Sequence, residues 1–238
     1  MKSSMAVIAV VATLVLLSLA TMPKAFGQAE RGGSPRWRCA YGILYQAILF
    51  PALFAQALAT LAAPHRDLAS WEFARDQAAS LQPPEAAFAL AFGAYLAFDL
   101  VAMKLSKLVA VHHVACLATH IAVHFFLPRG IPYYYAGITL LELGSGACHM
   151  FYLYPRVPYF ADLWFLLMAI SNVAACVCAF SWACLQVSAA VGVYGFVFTL
   201  ALCYLRQDAA LLFRKYSTIF DYGPQGKARR ALTVNSCV

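Results

Sequence analysis

Apolar and polar residues fall along this chain in long blocks rather than in a short alternation. Runs near the 20 residues a helix needs to cross a bilayer lie at 5–22, 40–63, 85–103, 108–127, 132–154, 160–182 and 187–205. Polar or proline-containing breaks part most of them: "PHRDLASWEFARDQAASLQPPE", "MKLSK", "PRGIP" and "YPRVP". The last two runs are separated only by a weak break near Gln186 and Ser188, but 160–205 is far too long for one crossing. The pattern predicts an all-α, polytopic transmembrane helix bundle. Residues 40–215 form its six-span core, 1–39 an N-terminal hydrophobic segment with a basic linker, and 216–238 a basic cytosolic tail.

Composition supports the bilayer as solvent. The 238 residues are 63% hydrophobic and 11% charged, with mean hydropathy +0.71. A soluble domain is about half apolar and about a quarter charged. The net charge of +7 sits mainly in segments flanking apolar runs, which points to anionic headgroups and topology and not to nucleic acid. Lys24, Arg31, Arg36 and Arg38 precede the core, Lys104, Lys107 and Arg156 mark later connections, and Arg206, Arg214, Lys215, Lys227, Arg229 and Arg230 follow it. All fall on one side, so both ends of 40–205 read as cytosolic.

The first run, "MAVIAVVATLVLLSLATM", reads as an uncleaved span starting outside, or as a signal cleaved after Ala25-Phe26-Gly27. Leu68, Trp71 and Phe73 in the loop at 65–85 suggest an interfacial amphipathic helix or an ordinary ordered loop. The eight cysteines include no C-x-x-C pair and read mostly as small residues packed between helices rather than as disulfides or metal ligands. No metal site is expected. Tyr133, Tyr134, Tyr135, Tyr152 and Tyr154 crowd the two ends of one span and read as an aromatic belt. Gly144 and Gly146 read as packing residues.

Candidate chemistry lies in the membrane. "KLVAVHHVACLATHIAVHFFLP" holds His112, His113, His120 and His124. At 100° per residue, His113, His120 and His124 share one helix face within about 40°, and His112 borders it. Asp99 lies in the preceding span, and Glu142 and His149, seven apart, share a face of the following one. Asp162 and Asn172 lie on the span after that, Asp162 close to its end. An intramembrane charge costs about 2.5–3.5 kcal/mol on insertion scales and faces the bundle interior. Imidazoles there suit acyl transfer, metal or haem ligation, or cross-helix hydrogen bonds. The adjacent pair at mid-span favours function, His124 a structural role near the boundary, and His120 either.

"FDLVAMKLSKLVAVHHVACLATHIAVHFF" followed by "GITLLELGSGACHMFYLYP" resembles the TLC domain, the TRAM, Lag1 and CLN8 group, over about residues 40–215. Asp99 matches the family's aspartate, His112 and His113 its double histidine, and Glu142 with Gly144 and Ser145 a variant of its later motif. The ceramide synthases of that family carry H-D-x-x-D where this chain has "ELGSG", so both aspartates are replaced, by Leu143 and Gly146. The resemblance is nearer to the small TLC-domain proteins of membrane lipid homeostasis and implies a multi-pass protein of the endoplasmic reticulum or another endomembrane, with the plasma membrane as the alternative.

Three functions follow. The first is a lipid acyltransferase with acyl-CoA as co-substrate and no bound cofactor. In it His113 is base or nucleophile, His112 its partner, Asp99 or Glu142 the orienting carboxylate, and His120, Ser145 and His149 contact substrate. The second is a non-enzymatic lipid-binding, sensing or trafficking protein. The third, a haem or metal redox protein, fits poorly, because four of only six histidines sit on one helix.

Overall fold

The computed structural model describes residues 13, 17, 20–23, 30–31, 34–61, 83–102, 105, 107–127, 129–154, 157 and 159–219. The hydrophobic run at 5–22 falls mostly outside the described residues, as do the loop with Leu68, Trp71 and Phe73 and the tail beyond 219. Residues 20–23 are helical, and Thr21 Oγ1 donates to the Leu17 carbonyl at 2.8 Å.

From Arg36 on, the described residues form six helices. The first, α1, is continuous from Arg36 but changes pitch: α-helical over Arg36–Ile43, π-helical over Leu44–Leu49 and α-helical again over Phe50–Leu61. Pro51 lacks the N–H that would bond the Ala47 carbonyl and crowds that carbonyl with its ring, and the wider turns before it absorb the defect. Then come α2 (Pro83–Ala102), α3 (Lys107–Phe126), α4 (Ile131–Leu153), α5 (Tyr159–Cys184) and α6 (Ala189–Ile219). Gly130 precedes α4 with φ +66°, a left-handed conformation that glycine adopts without strain. A side chain there would also press on Trp182. A two-residue antiparallel ladder, β1 (Glu30–Arg31) with β2 (Ser34–Pro35), leads into α1 and was not expected from the pattern.

The bundle holds its polar side chains inside, among a mainly aromatic and aliphatic core, and is apolar outside. Arg38, Gln46, Asp99, His113, Asn172 and Arg206 are buried, whereas Leu166, Ile170, Val173, Val177 and Phe180 form an exposed stripe along α5. A water-soluble helix has the reverse pattern. Among the described residues, five helices are long and apolar enough to cross a membrane: Arg36–Ala59, Pro84–Val101, Val109–Phe126, Tyr159–Cys184 and Ala189–Leu211. The chain is therefore a multi-pass integral membrane protein. The remaining helix, α4, has 23 residues, about 34 Å at 1.5 Å each, and contributes polar side chains to the interior.

Two bounds differ from the sequence reading. The first core helix begins at Arg36, not 40, and α6 runs to Ile219, not 205. Its 31 residues extend about 46 Å, well beyond a hydrocarbon core of about 30 Å.

The helices pack in the row α3–α2–α1–α4–α5–α6. Between α1 and α2 the core is aromatic: Tyr41 and Tyr45 both stack on Tyr95 at 5.6 Å, and Phe50 lies edge-on to it. The row curves, because His120 and His124 of α3 reach Tyr134 and Tyr135 of α4. Its two end helices, α3 and α6, then flank a cavity.

Candidate functional site

Two polar centres lie inside the bundle. In the first, the Arg38 guanidinium of α1 pairs with Asp99 Oδ2 of α2. Asp99 is fully buried, with Oδ2 also 3.1 Å from His113 Nε2. The other ring nitrogen of His113 donates to the Val109 carbonyl at 2.9 Å. Arg38 further donates to the Tyr95 hydroxyl at 3.1 Å and to His149 Nε2 at 3.3 Å. His149 Nδ1 donates to Gln46 Oε1 at 2.8 Å, and Gln46 Nε2 donates to the Tyr95 hydroxyl at 3.0 Å. Gly42 makes room for His149, whose ring occupies the space a side chain would take. Four helices thus share one guanidinium and one carboxylate.

The second centre is built on Arg206 of α6, 3% exposed. Its Nε donates to Asn172 Oδ1 of α5 at 3.2 Å, Nη1 to Ser145 Oγ of α4 at 2.9 Å, and Nη2 to the Leu141 carbonyl. Asn172 is fixed in turn by the Cys203 carbonyl at 3.2 Å and Gln207 Oε1 at 3.3 Å. Gly144 lets the guanidinium and Ser171 approach α4 closely. Since Leu141 and Ser145 both hold Arg206, the guanidinium lies beside Glu142, whose Oε2 is buried without a hydrogen-bond partner among the described residues.

Arg206 and Glu142 open onto a cavity of about 320 Å³. His112 of α3 joins them on its wall. It lies at their level, because His120–Tyr134 sets an antiparallel register that brings 112 opposite 142. From there the cavity continues between Cys116, Thr119 and Val123 of α3, Ile138 and Tyr134 of α4, Trp182 of α5, and Phe198 and Tyr194 of α6. His112 and Val123 are about 16 Å apart along the helix at 1.5 Å per residue. The cavity is therefore a slot with a charged end and an aromatic end. It reaches the lipid-facing surface at α6, where Tyr194 is 77% and Phe198 39% exposed.

The five described histidines divide sharply. Both ring nitrogens of His113, His120, His124 and His149 face oxygen or nitrogen partners. His120 donates to the Ala89 carbonyl at 2.9 Å and accepts from the Tyr134 hydroxyl at 3.1 Å. His124 contacts the His120 carbonyl and the Tyr135 hydroxyl, each at 2.7 Å. His112 contacts the Cys116 thiol, 3.5 Å from Nδ1, and the His113 ring edge-on. Of the residues singled out from sequence, His112 and Glu142 line the slot; Asp99, His113 and His149 belong to the first centre. Ser145 supports Arg206, and His120 holds α3 to α2 and α4.

Three readings change. Arg38 and Arg206, counted as cytosolic flanks, are buried partners of the two centres, because intramembrane carboxylates draw cations inward. Tyr134 and Tyr135 are not a belt: Tyr135 is 1% exposed, and both hydroxyls hold histidines. Gln46 and Tyr95 carry no charge and stood out in no pattern. The need of Asp99 and Glu142 for counter-cations was the available signal for both arginines. Asp162 is exposed in the first turn of α5. No protein-family model, curated protein or solved structure matches the chain.

Proposed function

We propose that this multi-pass protein is a TLC-type lipid-handling protein that holds a lipid in the slot and acts in membrane lipid homeostasis, in the endoplasmic reticulum or another endomembrane. One observation carries this reading: the slot joins a charged end to an aromatic end and meets the bilayer at α6. Sites for small molecules are concave, mostly apolar, and oriented by a few polar groups. The compartment and the family rest on the resemblance of the Asp99, His112-His113 and Glu142 motifs. Native mass spectrometry of the purified full chain should detect co-purified lipid, lost when Ala179→Phe, on the α5 wall of the slot, fills it while the fold survives. Equal retention by this variant would defeat the proposal.

One observation favours a second reading, acyl transfer from acyl-CoA. His112 faces the slot, and among the described residues its ring nitrogens meet only the Cys116 thiol. It would accept the proton of a hydroxyl or amine acceptor as that group attacks the thioester carbonyl, and return it to the departing CoA thiolate. His113, its nitrogens taken, would position the helix rather than react. Acyl-CoA turnover that persists in His112→Ala would remove this reading and leave the binding function intact.

A further inference from the structure

The charged end of the slot constrains the headgroup it accepts. On the reading of the slot as a lipid site, we propose that its ligand is an uncharged, single-chain lipid with a hydroxyl-bearing headgroup, seated between Glu142 and Arg206.

Glu142 offers an acceptor, Oε2, that has no hydrogen-bond partner among the described residues. Arg206 offers donors: of the five N–H groups of a guanidinium, three are committed to Asn172, Ser145 and Leu141. The other two lie on Nη1 and Nη2, and the residue lines the slot. A hydroxyl both donates and accepts, so it satisfies Glu142 and Arg206 together, with His112 within the same end as a further polar neighbour. Ionic headgroups fit worse. A free carboxylate gains Arg206 but faces Glu142, and an ammonium gains Glu142 but faces Arg206. Each also adds an uncompensated charge to a low-dielectric site, where burying an ion is expensive.

Size limits the chain. A volume of about 320 Å³ lies at the small end of the roughly 300–1,000 Å³ of ligand pockets. That accommodates a small headgroup and the first part of one chain. The remainder leaves past Phe198 and Tyr194 into the bilayer, and the slot itself is matched to one chain.

Trp182 lines the slot and provides the probe. Full-length protein in nanodiscs is titrated with a chain-brominated monoacylglycerol, and tryptophan quenching is compared with that of Trp182→Phe. Quenching should saturate and be weaker in the variant. Monododecanoylglycerol should reverse it at least about tenfold more effectively than dodecanoic acid, dodecylamine or didodecanoylglycerol, a tenfold ratio being 1.4 kcal/mol. Glu142→Gln removes the negative charge with little change of shape and should shift the preference toward dodecanoic acid by about tenfold. If the acid, the amine or the two-chain lipid displaces the probe as well as the monoacylglycerol, or if Glu142→Gln leaves the ranking unchanged, the headgroup assignment is wrong although the slot still binds lipid. If no ligand quenches above the Trp182→Phe baseline, the slot is not a lipid site and both proposals fall.

Discussion

Both polar centres use the same ingredients, an arginine, a carboxylate and a histidine, yet one is closed and the other open. Around Arg38, the carboxylate of Asp99 touches the cation directly and His113 Nε2 lies 3.1 Å from the same oxygen. Tyr95 and His149 take further bonds from the guanidinium and Gln46 braces both, while Asp99 Oδ1 is buried without a hydrogen-bond partner among the described residues. Around Arg206, the guanidinium spends its bonds on Asn172, Ser145 and a backbone carbonyl, and Glu142 and His112 face a cavity. Intramembrane charge therefore serves two ends here. Where the charged groups are packed round by other side chains, they join helices; where they line a cavity, they can receive a guest. Adjacent histidines 112 and 113 fall on opposite sides of that division because a helix turns 100° between them.

Removing one partner of the closed centre should give the largest effect. Asp99→Leu leaves Arg38 charged and unpaired in the bundle, a loss of about 3–5 kcal/mol, measurable by SDS titration in mixed micelles. Asp99→Leu combined with Arg38→Met should cost less than either alone; additive losses would mean that the two side chains are not a pair. Arg206→Gln, which loosens α6 from α4 and α5, should cost about 2–4 kcal/mol in the same titration. The two histidines give the sharpest contrast. His113→Ala should cost about 2–3 kcal/mol through two lost hydrogen bonds and a void, and His112→Ala less than about 1 kcal/mol. Equal losses would erase the distinction between the centres. Between the two histidine variants falls Gly130→Ala, at about 1–2 kcal/mol for a side chain in the left-handed region, with slot binding retained. A loss of binding there would tie the slot's aromatic end to the turn through Trp182.

The bundle was legible because membrane insertion enforces long apolar blocks, so helix number and most boundaries followed from hydropathy alone. Asp99 with His113 was also legible, since a carboxylate and an imidazole in neighbouring spans had few other partners. Arg38 and Arg206 were not, because each lies near the end of an apolar run. A rule that counts basic residues there does not distinguish a side chain turned to headgroups from one turned inward. Helix phase could have separated them. Arg206 lies three residues after buried Cys203 and four before buried Ala210, and so on the inner face of α6. Gln46 required the π-helical stretch of α1, a local change of pitch that shifts the phase of everything after it.

The row in which the helices pack is not the order in which a ribosome delivers them. Arg38, Asp99 and His113 lie on the first three helices, so the closed centre can assemble from them at once. His149 joins with the next. Glu142, in contrast, enters on α4 and waits 64 residues for Arg206, roughly 3–13 s at about 5–20 residues per second. During that interval the carboxyl of Glu142 and the hydroxyl of Ser145 on α4 lack the guanidinium of α6. Nascent chains halted at Leu185 should therefore crosslink through α4 to the insertion machinery and lose that crosslink once α6 is complete. The last helix closes the slot and also ends the period in which the unfinished chain depends on a chaperoned membrane environment.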